Sequence, residues 1–167
     1  AAVGFSPTSG LATPERTVVE HTVISQGDPA VDIKLPGSAQ YVGMERFLLS
    51  KPMLGNTESC EQYAFVEPDK SHQVGRFWWI QFEAYLPGHP HLHMTYGSPR
   101  HARIGGLDFY VDAGVASPSK PPRPGSDAAH FYSLLASHGY RREDLMWVRL
   151  VHLLDTAKRK ELMIIYA

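Results

Sequence analysis

The chain has 167 residues, of which 43% are hydrophobic and 20% are charged, with a formal net charge of −1. This composition is typical of a folded globular protein and excludes a disordered chain. The near-zero charge provides no field that would attract nucleic acid, so nucleic acid is not an expected partner. No apolar run reaches the length of about 20 residues that a membrane helix needs, so no membrane insertion is expected.

The first sixteen residues differ in composition from the rest of the chain. They are rich in Ser, Thr, Pro and Gly, which predicts a flexible N-terminal arm over 1–16 and a single globular domain over 17–167. The chain begins with two alanines and has no basic or hydrophobic leader region. We interpret this start as favouring export to a periplasmic or secreted location with the signal peptide removed, and a trimmed chain is the alternative.

Alternation of apolar and polar residues predicts several β-strands after the arm. The predicted segments are 17–25, 31–35, 40–50, 60–67, 73–86 and 102–114. The strongest is 73–86, whose even-numbered face is almost entirely apolar and includes Trp78, Ile80 and Phe82. We therefore predict that 73–86 is a central strand with those three side chains deeply buried. The Gly105–Gly106 pair is interpreted as a bend or bulge within the strand 102–114.

One helix is predicted, over 127–138. Ser126 is a suitable N-cap, and Phe131, Leu134 and Leu135 recur at helical spacing. Gly139 follows where a left-handed residue often ends a helix.

The C-terminal segment can be interpreted in two ways. We predict a β-hairpin that pairs 145–154 with 161–166, because a polar break separates two apolar runs of strand length. A single helix over 141–166 is the alternative. In the hairpin, residues 158–160 would form a solvated tip.

These elements predict an α+β fold in one domain. Short polar connections favour antiparallel pairing, so we expect six to nine strands in a curved, predominantly antiparallel sheet with the helix packed on it. Closure of that sheet into a barrel is left open.

The odd-numbered face of 73–86 mixes aromatic and polar side chains, a pattern typical of a concave binding surface. The candidate ligand-binding residues on it are Trp79, Gln81, Glu83 and Tyr85. The alternative is an ordinary second face that the helix covers. Arg100 and Arg103 could meet an anionic group of a small ligand, or they could be ordinary surface charge.

Residues 86–101 carry four of the nine histidines. On a regular strand His91 and His93 would share a face and converge on a zinc or copper ion, with His101, Glu83 or Asp108 completing the site and His89 as a further alternative. No spacing matches a specific metal signature, which favours the other interpretation, a turn with solvated histidines.

Phosphate loops, dinucleotide fingerprints and nucleophile elbows are absent from the sequence. Three functions remain open. The first is a small soluble binding protein that holds a compact ligand or metal ion near 73–86 and the His-rich turn. The second is a metal-assisted or His/carboxylate acid–base enzyme, a hydrolase or isomerase, and the third is a protein–protein interaction module.

Overall fold

The computed structural model describes residues 16–167 of the chain. The predicted arm lies outside the described residues except for Arg16, which begins the first strand. Within 16–167 the chain forms eleven strands and one helix. The strands are β1 (Arg16–Val19), β2 (Thr22–Ser25), β3 (Val31–Lys34), β4 (Gln40–Lys51), β5 (Gly55–Pro68), β6 (Gln73–Tyr85), β7 (Arg100–Ile104), β8 (Leu107–Ala116), β9 (Arg141–Arg142), β10 (Leu145–Leu153) and β11 (Lys160–Tyr166), and the helix is α1 (Asp127–Ser137).

The main sheet has the order β4-β5-β6-β11-β10-β8-β7, and all neighbours along it are antiparallel. Strand β9 adds a short parallel pairing at the start of β6, where β11 does not reach. The predicted class, mostly antiparallel sheet with one helix, is therefore confirmed. The barrel alternative is wrong for the described residues, because the edge strands β4 and β7 do not pair with each other and the sheet stays open.

Strand β6 lies in the interior of this sheet, between β5 and β11. Its even-numbered side chains are buried, with relative exposures of 8% for Trp78, 0% for Ile80 and 4% for Phe82. The predicted central position and buried face are both confirmed. Long period-two alternation with a high content of aromatic residues identified this segment as a strand.

A second sheet, β1-β2-β3, packs on that buried face. Val23 of β2 joins Tyr63, Phe65, Ile80 and Phe82 in one apolar cluster. The predicted single strand 17–25 is in fact the β1–β2 hairpin, since the chain turns at Glu20 and His21, with Glu20 at a φ of 52°. We refer to this side of the main sheet as the β1–β3 side.

Helix α1 covers part of the opposite side, the helix side. Phe131 and Leu135 are buried there, and the Phe131 ring stacks on Trp79 with centroids 4.5 Å apart. Ser126 is the predicted N-cap, and its hydroxyl accepts a hydrogen bond from the amide of Ala129 at 3.3 Å. The helix ends at Ser137, one residue earlier than predicted.

Two other predictions concern hairpins, and one of them changes. The predicted strand 102–114 is the β7–β8 hairpin, because Gly105 and Gly106 adopt φ angles of 59° and 85° and turn the chain back on itself. The C-terminal hairpin is confirmed, with β10 paired to β11. The strand count exceeds six to nine because two predicted strands each split at a tight turn and the two-residue strand β9 was not predicted. Within residues 16–167 no helix is long and apolar enough to cross a membrane.

Candidate functional site

The odd-numbered side chains of β6 divide into two groups on the helix side. Phe77 and Trp79 pack against Phe131 of the helix, which corresponds to the covered alternative of the sequence prediction. Glu83, further along the same face, lines a cavity. One face of one strand therefore supplies both core packing and a concave surface.

The first cavity, which we call the aromatic compartment, has a volume of about 280 Å³. Its main apolar and aromatic lining residues are Phe77, Trp79, Tyr132, Trp147, Met163 and Ile165. The indole of Trp147 lies directly over Gly114 of β8, so that a Cβ atom at that glycine would be 2.5 Å from the ring atom Cζ2. The absence of a side chain at position 114 thus sets the position of this wall.

The second cavity, the acidic compartment, has a volume of about 180 Å³. Glu58 of β5, Glu83 of β6, Glu161 of β11 and Asp127 of α1 all line it, together with Tyr96 and Arg149. The two compartments share Asp127, Arg149 and Met163 as lining residues. We call the two adjoining compartments together the cleft.

Glu83 and Glu161 are directly opposite each other on the neighbouring strands β6 and β11. Residues in such antiparallel positions have Cβ atoms about 4.5–5.5 Å apart, so the two carboxyl groups interact strongly. Glu161 is only 2% exposed. The sheet register therefore brings two carboxyl groups together at the floor of the acidic compartment.

Hydrogen bonds hold this pair in place. Tyr96 donates from its hydroxyl to Oε2 of Glu161 at 2.6 Å. The indole nitrogen of Trp79 donates to Oε1 of Gln81 at 2.7 Å, and the amide nitrogen of Gln81 donates in turn to Oε1 of Glu83. This chain of bonds links the aromatic compartment to the acidic one.

Burial raises the pKa of both carboxyl groups. Desolvation raises the pKa of Glu161 to about 7, against the opposing hydrogen bond from Tyr96 and the charge of Arg149. Desolvation and then the negative charges of Glu161 and Asp127 raise the pKa of Glu83 well above its usual range. The pair consequently retains a proton near neutral pH.

The cations nearest this compartment have other carboxylate partners. Lys51 Nζ lies 3.1 Å from Oε1 of Glu58, and Arg149 forms two bonds to Asp112, one of them from Nε at 2.9 Å. Among residues 16–167 neither Glu83 nor Glu161 forms an ion pair. Negative charge on this pair is therefore not neutralised by direct contact with a cation.

The predicted ligand-binding residues fall in two places. Trp79 and Glu83 line the cleft, Gln81 connects them by hydrogen bonds, and Tyr85 accepts a bond from Lys51 at the rim. Arg100 and Arg103 instead lie on the edge strand β7. Arg103 pairs with Asp108 at 3.8 Å with both side chains largely exposed, which corresponds to the surface-charge alternative.

The His-rich stretch does not form the predicted constellation. Residues 86–99 contain no strand, so the same-face geometry assumed for His91 and His93 does not apply. The rings of His89 and His91 are 6.4 Å apart at 75°, and His101 packs on Tyr110 at 4.6 Å. No group of three or more His, Cys, Asp or Glu side chains among the described residues could hold a metal ion, so the zinc or copper prediction gains no support.

Arg159 explains why the stretch turns. Its guanidinium donates to four backbone carbonyls, those of Tyr85, Leu86, His89 and Leu92, at distances of 2.7 to 3.4 Å. The expectation that 158–160 is a solvated tip is wrong for this residue, which is partly buried and ties the turn to the C-terminal hairpin. The turn is thus a structural element beside the cleft.

Several cleft residues were missed at the sequence level, namely Glu58, Tyr96, Asp127, Arg149 and Glu161. A faint signal was present for one of them, since Glu161 interrupts an apolar strand on the same side of the sheet as Glu83. Placing it opposite Glu83 requires the pairing of β6 with β11, which are separated by most of the C-terminal half of the chain.

Comparison with protein-family models, with curated proteins and with solved structures finds no match to this chain.

Proposed function

We propose that the protein binds a small organic molecule in the cleft on the helix side of the main sheet. The observation that carries the proposal is the contact between the two compartments, which share three lining residues and differ in chemistry from end to end. Ligand sites are typically clefts of about 300–1,000 Å³ that combine apolar walls with a few placed polar groups. The aromatic compartment, at about 280 Å³, lies just below that range, and the adjoining acidic compartment of about 180 Å³ extends it, which suits a compact ligand.

The wall residues support binding of an apolar body. Trp147 is half-buried and held flat over Gly114, and Trp79 is fixed by its stacking on Phe131 and its bond to Gln81. Rigid aromatic walls lose little conformational entropy when a ligand packs on them. The polar groups at the acidic end would then orient the ligand.

A ligand screen tests this proposal. Binding is measured by thermal shift and by intrinsic fluorescence, since Trp79 and Trp147 lie in the cleft and Trp78 lies on the other side of the sheet. A ligand that binds the folded protein alone raises its melting temperature by mass action. We expect Trp147→Ala to weaken every cleft ligand at least tenfold.

Met146→Ala is the matched control. Met146 neighbours Trp147 on β10, points to the opposite side and is 80% exposed, so its removal should change affinity less than about twofold. Ligands that are indifferent to Trp147→Ala, or a screen without any ligand tighter than millimolar, would contradict the proposal.

A second candidate function is acid–base catalysis by Glu83 and Glu161. Two adjacent carboxyl groups with raised pKa values in a cleft are a common arrangement for proton transfer. A substrate screen tests this candidate. It is supported if a substrate is turned over, and if Glu83→Gln and Glu161→Gln each abolish turnover while binding persists. The interaction-module hypothesis gains less support, because much of the aromatic face of β6 is covered by the helix.

A further inference from the structure

We propose that the ligand of the cleft is an organic ammonium ion with an apolar body, its charged nitrogen held between Glu83 and Glu161 and its body in the aromatic compartment. This inference rests on the proposed function and names the chemical class of the ligand. It follows from the charge balance, the free acceptor atoms and the shape of the cleft.

The charge balance favours a cation. Lys51 and Arg149 already contact Glu58 and Asp112, and Arg123 at the rim is exposed. Glu83 and Glu161 have no such partner among the described residues. An anionic ligand group would be repelled from this end of the cleft, whereas a cation would neutralise it.

The free acceptor atoms favour a nitrogen that donates several hydrogen bonds. Tyr96 donates to Oε2 of Glu161 and Gln81 donates to Oε1 of Glu83. Within residues 16–167 no N–H or hydroxyl donates to the second oxygen of either carboxyl group. Glu161 is only 2% exposed, yet it lines the compartment. A primary ammonium group carries three N–H donors and can bond to both of these oxygens.

The shape favours an apolar body on that nitrogen. The aromatic compartment begins at the shared residues Asp127, Arg149 and Met163 and continues between Trp79 and Trp147. A group of the size of a benzene ring with a short linker would place its ring against the two indoles while its nitrogen reaches the carboxyl pair. Burial of that ring adds hydrophobic free energy to the ionic contact.

Binding of an ammonium ion must displace a proton. The protonated carboxyl group of the pair loses its proton to solvent, and the ammonium ion, which keeps all of its own protons, takes its place beside two carboxylates. Charge is conserved, because one cation enters as one proton leaves. Affinity should therefore rise with pH as the carboxyl pair of the free protein loses its proton, over a range that includes the pKa of about 7 for Glu161.

Other ionisable groups face the pair and are included in this expectation. Glu58 and Cys60 face it from β5, Arg149 from β10 and Asp127 from the helix, with Tyr96 beside Glu161. Lys51 and Arg123 lie at the rim. Burial raises the pKa of the Cys60 thiol, which therefore stays protonated over the range of the experiment.

Three probes of nearly equal shape test the class of ligand: 2-phenylethylamine, 2-phenylethanol and 3-phenylpropanoate. Each is titrated calorimetrically into the full untagged chain at about pH 5.5, 6.5, 7.5 and 8.5, in two buffers that differ in ionisation enthalpy. We expect the amine to bind at least tenfold more tightly than the other two probes. Its affinity should rise at least tenfold in total between pH 5.5 and 8.5, with proton release into the buffer.

Glu161→Gln and Glu83→Gln are the matched variants, because they keep the shape of the side chain and remove its charge. Each should weaken the amine at least tenfold and alter its pH dependence, because only one titrating carboxyl group of the pair remains, while affinity for the alcohol changes less than about twofold. Equal affinity for amine and alcohol, or amine binding that is independent of pH or of both glutamates, would overturn the proposal.

The failure of the ammonium class can be separated from failure of the cleft. If the alcohol or the carboxylate binds more tightly than the amine, and Trp147→Ala weakens that binding, the ammonium class is wrong and the proposed binding function remains supported. If no probe binds, the ammonium proposal is wrong, and the wider ligand screen decides the binding function.

Discussion

Two groups of residues built around glutamates lie on opposite sides of the main sheet, one around the buried Glu61 and one around the buried Glu161 and the half-buried Glu83, and their surroundings differ. On the β1–β3 side, Glu61 accepts bonds from Arg46 Nε at 3.0 Å and from the Tyr63 hydroxyl at 2.5 Å, with Arg16 at 3.8 Å. On the helix side, Glu83 and Glu161 face a cavity and have no cation in contact among the described residues. The first group is neutralised internally, whereas the second remains available to a ligand.

The difference separates a charge that is neutralised within the fold from one that we propose to serve binding. A buried carboxylate that is surrounded by donors contributes to one defined packing arrangement, and loss of its partner is costly. Burial without a neighbouring cation raises the pKa of a carboxyl group, so the group retains a proton. Loss of that proton at higher pH destabilises the fold. Such an arrangement is common where a protein binds or reacts.

The largest expected effect comes from breaking the neutralised group. Glu61→Ala should lower the free energy of unfolding by about 3 kcal/mol, since it leaves Arg46 and Arg16 without their carboxylate. Arg46 already has one buried nitrogen, Nη2, without a hydrogen-bond partner. Urea denaturation at neutral pH measures the loss.

Glu83→Gln is the control for that measurement. It should change the free energy of unfolding by less than about 1 kcal/mol, because no cation loses its carboxylate partner when Glu83 is replaced. Equal losses in the two variants would show that the two sides of the sheet do not differ in this respect.

A smaller effect is expected from pH. The pKa of Glu161 in the folded state, about 7, lies above its usual value of 4.5, so the folded protein binds more protons than the unfolded chain between these values. Stability from this group is complete below about pH 4.5 and is lost as pH rises towards 7, a change of up to about 3 kcal/mol.

Glu161→Gln isolates that contribution from the titration of the nine histidines. The difference in unfolding free energy between the original chain and the variant should shift in favour of the variant as pH rises from about 4.5 to 7. A difference that is constant over this range would contradict the raised pKa.

The smallest effect concerns the helix that closes both compartments. Ser126 caps its first turn, and Ser126→Ala should lower stability by about 1 kcal/mol. Ser137 in the last turn is the control, because its exposed hydroxyl donates to the carbonyl of Leu134 and caps no amide. Ser137→Ala should cost less than about 0.5 kcal/mol, and equal losses at the two serines would remove the case for a cap.

Local pattern was sufficient to predict much of the fold. Alternation in β6 identified the buried face of Trp78, Ile80 and Phe82, and the Ser126 cap with apolar helical spacing located α1. The polar break between β10 and β11 predicted the hairpin that these two strands form. Each of these features is decided by residues close together in sequence.

The rest depended on contacts between distant segments. Period-two alternation places Glu83 and Glu161 on faces of their own strands, but it does not specify that β6 pairs with β11. The conformation of the His-rich stretch also depends on a distant residue, because four carbonyl bonds from Arg159, 67 or more residues away in sequence, hold it in a turn. The Gly105–Gly106 turn was a local signal that was interpreted as a bend.

The close approach of Trp147 to Gly114 has an evolutionary consequence. Because a Cβ atom at position 114 would lie 2.5 Å from the indole, the two positions cannot vary independently. Homologous chains that keep tryptophan at 147 are expected to keep glycine at 114, and those with a side chain at 114 should carry a smaller residue at 147. Coupled substitution at positions 114 and 147 would change the shape of the cleft wall. Homologous chains that bind different ligands are therefore expected to differ at these two positions.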